Sequence, residues 1–119
     1  MAKHNELGSF GEKQAVDLLL QKGYKILDTN WRYQKAEVDI IANKDDILVA
    51  VEVKTRTSTD YGDPQDFVNS KKIRLLTKAV DEYIQRRELD VEVRFDIIAI
   101  TTNTKKLEIE HLKDAFYYF

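Results

Sequence analysis

The sequence predicts an α/β sandwich: one mixed five-stranded sheet with helices packed against it. Three observations predict this. Two stretches carry apolar residues at steps of three and four, the period of a helix with one buried face. Five shorter stretches are apolar or β-branched and are separated by polar turns, as strands are. Their order is helix, three strands, helix, two strands and a short tail, a pattern that layers helices on a sheet. A chain of 119 residues suffices for one core, so residues 1–119 are expected to form a single domain.

The first helix is expected over Ser9 to Lys22, with Phe10, Ala15, Leu18 and Leu19 near helical spacing and Gly23 as the stop, though Leu7, Gly8 and Gly11 also admit a start nearer Asn5. Ser9 and Glu12 fit a capping box. Tyr24 to Tyr33 reads as a strand kinked at Asp28-Thr29-Asn30. Ala36 to Ala42 and Ile47 to Lys54 flank the polar turn Asn43-Lys44-Asp45-Asp46 as a hairpin. Thr55 to Pro64 reads as a mobile loop. Ile73, Leu76, Ala79, Val80, Tyr83 and Ile84 then define the second helix, Ser70 to Glu88, whose other face is basic. As a right-handed crossover it would bring the strand Val91 to Thr101 parallel to the Glu52 strand. Lys105 to Glu110 is the last strand, and Phe116 to Phe119 is too apolar for a free end.

The central hairpin carries charges where burial is expected. Glu52 and Lys54 share a face with Leu48 and Ala50, while Val49, Val51 and Val53 face the other way. A two-residue turn at Asp45-Asp46 sets Asp39 opposite Glu52 on one face. A turn at Lys44-Asp45 sets it diagonal to Glu52. A three-residue turn without a bulge sends it to the wrong face. The same-face arrangement is expected. Two such carboxylates suit magnesium, a hard cation that keeps several waters and uses one or two protein acids. Lys54 is placed to stabilise charge or orient water, and Glu12 is a third acid if the first helix packs near the hairpin. Each residue also has a structural role open to it: Glu12 as the partner of Ser9, Glu52 with Lys54 as a surface ion pair, Asp39 as a bridge to Arg32 or Lys54.

Composition excludes several chemistries. Without cysteine there is no disulfide, thiolate ligand or cysteine nucleophile. His4 and His111 are too few and too distant for a zinc cage, and read as surface or capping residues. A net charge of −2 argues against avid non-specific DNA binding, but leaves room for a local basic patch beside acids that a metal neutralises. Arg56, next to the site strand, and Lys71 and Lys72 on the second helix are the candidate phosphate contacts. Asp96 is expected to pair with Arg94 or Arg32, and Trp31 to belong to the core. No apolar run can span a bilayer, so no membrane partner is expected and cytoplasmic residence is the default.

In combination, Gly8-x-x-Gly11-Glu12-x-x-Ala15, Gly23-Tyr24-x-Ile26, Asn30-x-Arg32, Glu37-Val38-Asp39-Ile40-Ile41-Ala42, Val51-Glu52-Val53-Lys54-x-Arg56, Arg94-Phe95-Asp96 and His111-Leu112-x-x-Ala115-Phe116 are specific. The chain resembles the YraN-like uncharacterised bacterial family within the PD-(D/E)xK restriction-endonuclease-like superfamily, and is distantly similar to archaeal Holliday junction resolvases. Ala36 departs from the pattern, standing where the family's glycine is expected. The resemblance implies a restriction-endonuclease-like fold. Asp39 and Glu52 match the metal-binding acids, Lys54 the catalytic lysine, Glu12 the helix-borne acid, and the carbonyl of Val53 a further ligand.

Three functions follow as expectations. The first is a Mg2+- or Mn2+-dependent endonuclease acting on DNA, including branched structures. The second is an inactive nuclease-fold module that binds nucleic acid or protein, and the third a small acidic interaction protein with structural charges. Related resolvases act in pairs and the Phe116 to Phe119 tail offers apolar surface for a homodimer, although packing on its own domain explains that tail equally well.

Overall fold

The computed structural model of the chain describes residues 2–57, 68–102 and 106–116. The elements are α1 (Ala2–Gln21), β1 (Lys25–Tyr33), β2 (Ala36–Lys44), β3 (Ile47–Arg56), α2 (Ser70–Arg87), β4 (Glu92–Thr102) and β5 (Leu107–Leu112). The strands lie in the order β1-β2-β3-β4-β5. All neighbours are antiparallel except β3 and β4, which run parallel on either side of the α2 crossover. This is the expected α/β fold, a mixed five-stranded sheet flanked by two helices. The loop about Gly62 and Pro64, the turn at 103–105 and residues 117–119 lie outside the described residues.

The helices cover opposite faces. Ala15 and Leu19 of α1 pack with Ile40, Ala42, Val49, Val51, Ile98 and Ile100. Leu76, Ala79, Val80 and Tyr83 of α2 pack with Ile41, Leu48, Ala50 and Phe95. The alternation of Leu48 and Ala50 with Val49 and Val51 assigns successive β3 residues to different layers. Trp31 and Phe116 join the α2 side, Trp31 edge-on to Tyr83 at 5.2 Å and Phe116 against Phe95 at 5.2 Å.

Helix α1 differs from expectation at its start. It begins at Ala2, so Ser9 is an interior residue and the Ser9–Glu12 capping box does not exist. Ala2, Lys3, Glu6 and Leu7 are good helix formers, and once nucleated a helix extends through them at little further cost. Gly11 is buried, and a Cβ there would land on Thr55 Oγ1, so the glycine lets α1 approach the end of β3 closely. The helix ends as predicted. Gly23 takes φ +90, its N–H donates to the Leu20 carbonyl, and Tyr24 N–H donates to that of Leu19, the Schellman arrangement. The kink expected in β1 is present as a register shift between Ile26 and Asp28 and a left-handed Asn30 with φ 52. Ala36 is absent from the positive-φ residues and starts β2 in register with Tyr33, so its backbone does not need the family's glycine.

Candidate functional site

The β2–β3 hairpin turns through Asp45 and Asp46, with φ 53 and 62. Two left-handed residues make a two-residue turn whose twist matches the strands. The ladder runs from Lys44 opposite Ile47 to Ile40 opposite Val51. The next step would set Asp39 against Glu52, and there the pairing stops. Beyond it β2 stays with β1, Val38 opposite Trp31 and Glu37 opposite Arg32, while β3 stays with β4 from Glu52 opposite Ile97 to Arg56 opposite Thr101. The sheet forks at Asp39 and Glu52.

The fork modifies the same-face expectation. Val38 belongs to the α2 side of the sheet and Ile40 to the α1 side, so strict alternation breaks at Asp39. Asp39 Oδ2 accepts the N–H of Val53 at 2.8 Å, replacing the partner that the parted ladder denies it. A strand residue's N–H and C=O point to the same side, so the Val53 carbonyl also looks into the fork.

Burial pushes the Asp39 carboxyl up from 3.8 to about 7, aided by the charges of Glu52 and, more weakly, Glu12; the Val53 N–H works in the other direction. Glu52 has only 15% of its side chain exposed. Its Oε1 accepts from Lys72 Nζ at 2.9 Å, whereas Oε2 is buried with no hydrogen-bond donor among the described residues. On the α1 side Asp39 opens into a cleft of ≈ 620 Å³, whose wall includes Leu7, Gly8, Ser9 and Glu12 of α1, Asn30 and Arg32 of β1, and Val53, Lys54 and Thr55 of β3. Glu52 approaches from the other side, beside Leu76, Phe95 and Phe116.

Of the residues singled out in the sequence, Glu12, Asp39, Val53 and Lys54 line this cleft and Glu52 adjoins it through Asp39. Glu12 sits mid-helix, and Asn30 Nδ2 donates to its Oε2 at 3.4 Å. From the sequence Asn30 is expected at the strand kink and in a motif, not at the cleft. An asparagine within a strand is itself a signal, because Asn is among the few non-glycine residues that tolerate a left-handed backbone. Arg32, one of the partners a structural reading offered Asp39, pairs with Glu37 at 2.9 Å instead. Lys72, a candidate phosphate contact, has its ammonium on Glu52. Arg56 is outside the cleft, lining a separate hollow of ≈ 320 Å³ with Glu108 and Glu110 of β5. Lys71 is exposed at the start of α2.

His111 is also placed differently from expectation. Its side chain is 3% exposed, and Nε2 lies 2.7 Å from Asp96 Oδ2. Lys22 Nζ lies 2.8 Å from Nδ1; an ammonium only donates, so Nδ1 accepts and Nε2–H donates to Asp96. Arg94 grips the same carboxylate with two bonds of 2.9 Å, and the Asp114 N–H adds a fourth at 2.9 Å. Burial pushes the Asp96 carboxyl up, but the donors from His111, Arg94 and Asp114 outweigh it and hold the group below its ordinary value. This lock ties the segment after β5 to β4.

Residues 11–100 match the uncharacterised protein family UPF0102. The chain belongs to this family. It is 60% identical over its whole length to a UPF0102 protein of Flavobacterium psychrophilum, covering all of that protein. UPF0102 proteins of Bacteroides fragilis and Phocaeicola vulgatus are 49% and 44% identical over 117 residues, 98% of this chain and 97% of each relative. The fork residues of this UPF0102 chain, Asp39 and Glu52 to Lys54, and Glu12 all fall inside the matched region.

The donor set fits a hard divalent cation. Asp39 and Glu52 repel one another, Glu52 Oε2 is buried without a donor, and the ligands on offer are oxygens. Among the described residues no three His, Asp or Glu side chains form a metal cage, so the oxygens on offer at the fork are those of two acids and a backbone carbonyl. No described helix is long and apolar enough to cross a membrane.

Proposed function

We propose that the protein is a Mg2+- or Mn2+-dependent endonuclease hydrolysing phosphodiester bonds in DNA, including branched DNA. The observation that carries this reading is Glu52 Oε2, buried without a donor among the described residues, beside an Asp39 carboxyl raised to about 7, the Lys72 ammonium being on the other oxygen of Glu52. Asp39, Glu52 and the Val53 carbonyl would hold the cation. When bound, the cation supplies the charge that neutralises the acids and draws phosphate oxygens to the fork.

The residues of the chain supply the rest. The cleft gives a phosphodiester access from the α1 side to Asp39 and Lys54. The Lys54 ammonium donates to oxygen as negative charge develops on the phosphoryl group, where a fixed donor acts most strongly. Glu12, tied to Asn30, faces the same space as an acceptor for water.

The test is cleavage of linear and four-way branched DNA with Mn2+, with Mg2+ and with chelator. Metal-dependent cleavage is expected, falling at least ~100-fold in Lys54→Met and to background in Asp39→Asn and Glu52→Gln. Cleavage unchanged in the two acid variants would contradict the assignment. Absence of cleavage, combined with DNA binding that ignores metal, would favour the inactive binding module.

A further inference from the structure

We propose that Lys72 is a positioning residue for Glu52: it holds Oε1 so that Oε2 is the oxygen presented to a divalent cation. The inference rests on the cation-binding reading above and assigns a role to a residue on another element and the other side of the sheet.

The two oxygens of Glu52 have different surroundings. Oε1 is 2.9 Å from Lys72 Nζ, while Oε2 is buried and meets no donor among the described residues. A carboxylate with one oxygen fixed cannot swing to offer the other, and its charge influences Asp39 from a fixed direction. Groups that hydrogen-bond to a ligand in this way set its orientation, and their removal commonly weakens metal binding ~10–100-fold.

The placement of Lys72 argues that the pair is more than chance surface contact. It sits in the first turn of α2, which contains no acidic residue. A cation at this end of a helix is opposed by the backbone dipoles. Its own N–H is pinned by the N-cap, donating to Asn69 Oδ1 at 2.9 Å, so the base of the lysine is fixed as well as its tip. Glu52 is 15% exposed and Lys72 41% exposed. The ammonium thus closes the α2 side of the acid pair, while Lys54 lines the cleft together with Asp39. The two lysines do different work: one meets substrate, the other orients a ligand.

The test is Mn2+ titration of the full chain, followed by the electron paramagnetic resonance of free Mn2+, with wild type, Lys72→Met, Lys72→Gln, Lys72→Arg and Asp39→Asn. Thermal melts in chelator show that each variant is folded. Affinity is expected to fall at least ~10-fold in Lys72→Met and Lys72→Gln and to be substantially restored in Lys72→Arg, which can still donate to Oε1. Equal or tighter binding by the folded Met and Gln variants overturns the proposal, because it makes Lys72 a bystander or a competitor of the cation. If wild type binds no Mn2+, the cation-binding reading fails first. If wild type binds, Asp39→Asn does not, and Lys72→Met matches wild type, that reading stands and the role of Lys72 alone is lost.

Discussion

Asp39 is an acid whose surroundings oppose its charge. Its folded pKa of about 7 lies above the ordinary 3.8 because burial and the neighbouring acids disfavour the anion. Between roughly pH 4 and 7 the unfolded chain has released this proton and the folded protein keeps it, so its contribution to stability falls as pH rises. The loss at pH 8 is on the order of a few kcal/mol. In chelator, Asp39→Asn should therefore melt higher than wild type at pH 8, with the difference vanishing toward pH 4; an asparagine oxygen can still accept from Val53. Equal melting at pH 8 would contradict the electrostatic account. Asp96 has the opposite sign. Its lowered pKa stabilises the fold above the ordinary carboxylate range, and that stability is lost as pH falls through the folded pKa. Asp96→Ala leaves Arg94 and His111 without their shared acceptor and should cost ~3–5 kcal/mol in denaturant unfolding. Both acids stood out in the sequence. Their fates did not, because these depend on donors from distant elements: Val53 for one, His111 and Asp114 for the other.

At the scale of elements, the site depends on how closely α1 approaches β3. Gly11 permits that approach, and Glu12 is the next residue. Gly11→Ala gains up to ~1 kcal/mol of helix propensity but drives a methyl into Thr55 Oγ1, so net destabilisation of ~1–3 kcal/mol is expected. The double variant with Thr55→Ala should recover much of it, as a thermodynamic cycle in chemical denaturation can measure. Additive losses would show that the contact is not what Gly11 serves. The strands and α2 were legible because apolar runs and periods of three to four report burial directly. The hairpin register was legible as a choice among turn lengths, and the structure takes the two-residue turn. The fork was not. Alternation predicts a regular ladder, and nothing in Val38-Asp39-Ile40 announces that two strands part there. The start of α1 was obscured by Ser9, whose capping chemistry is real but yields to a longer run of helix formers.

For the whole molecule, a net charge of −2 and an acid-lined fork make DNA a poor ligand until the acids are neutralised. Binding to a branched duplex should be weak in chelator and at least ~10-fold tighter with Ca2+, an oxygen-seeking cation used here as a probe without turnover. Asp39→Asn should remove most of that gain in fluorescence anisotropy. Equal affinity with and without Ca2+ would separate DNA binding from the fork. A cation site between the parted strands is open to anomalous scattering from Mn2+-soaked crystals. A peak is expected within ligand distance of both Asp39 and Glu52 Oε2, with Lys72 still on Oε1. A peak elsewhere, or none at the fork with both carboxylates ordered, would contradict it.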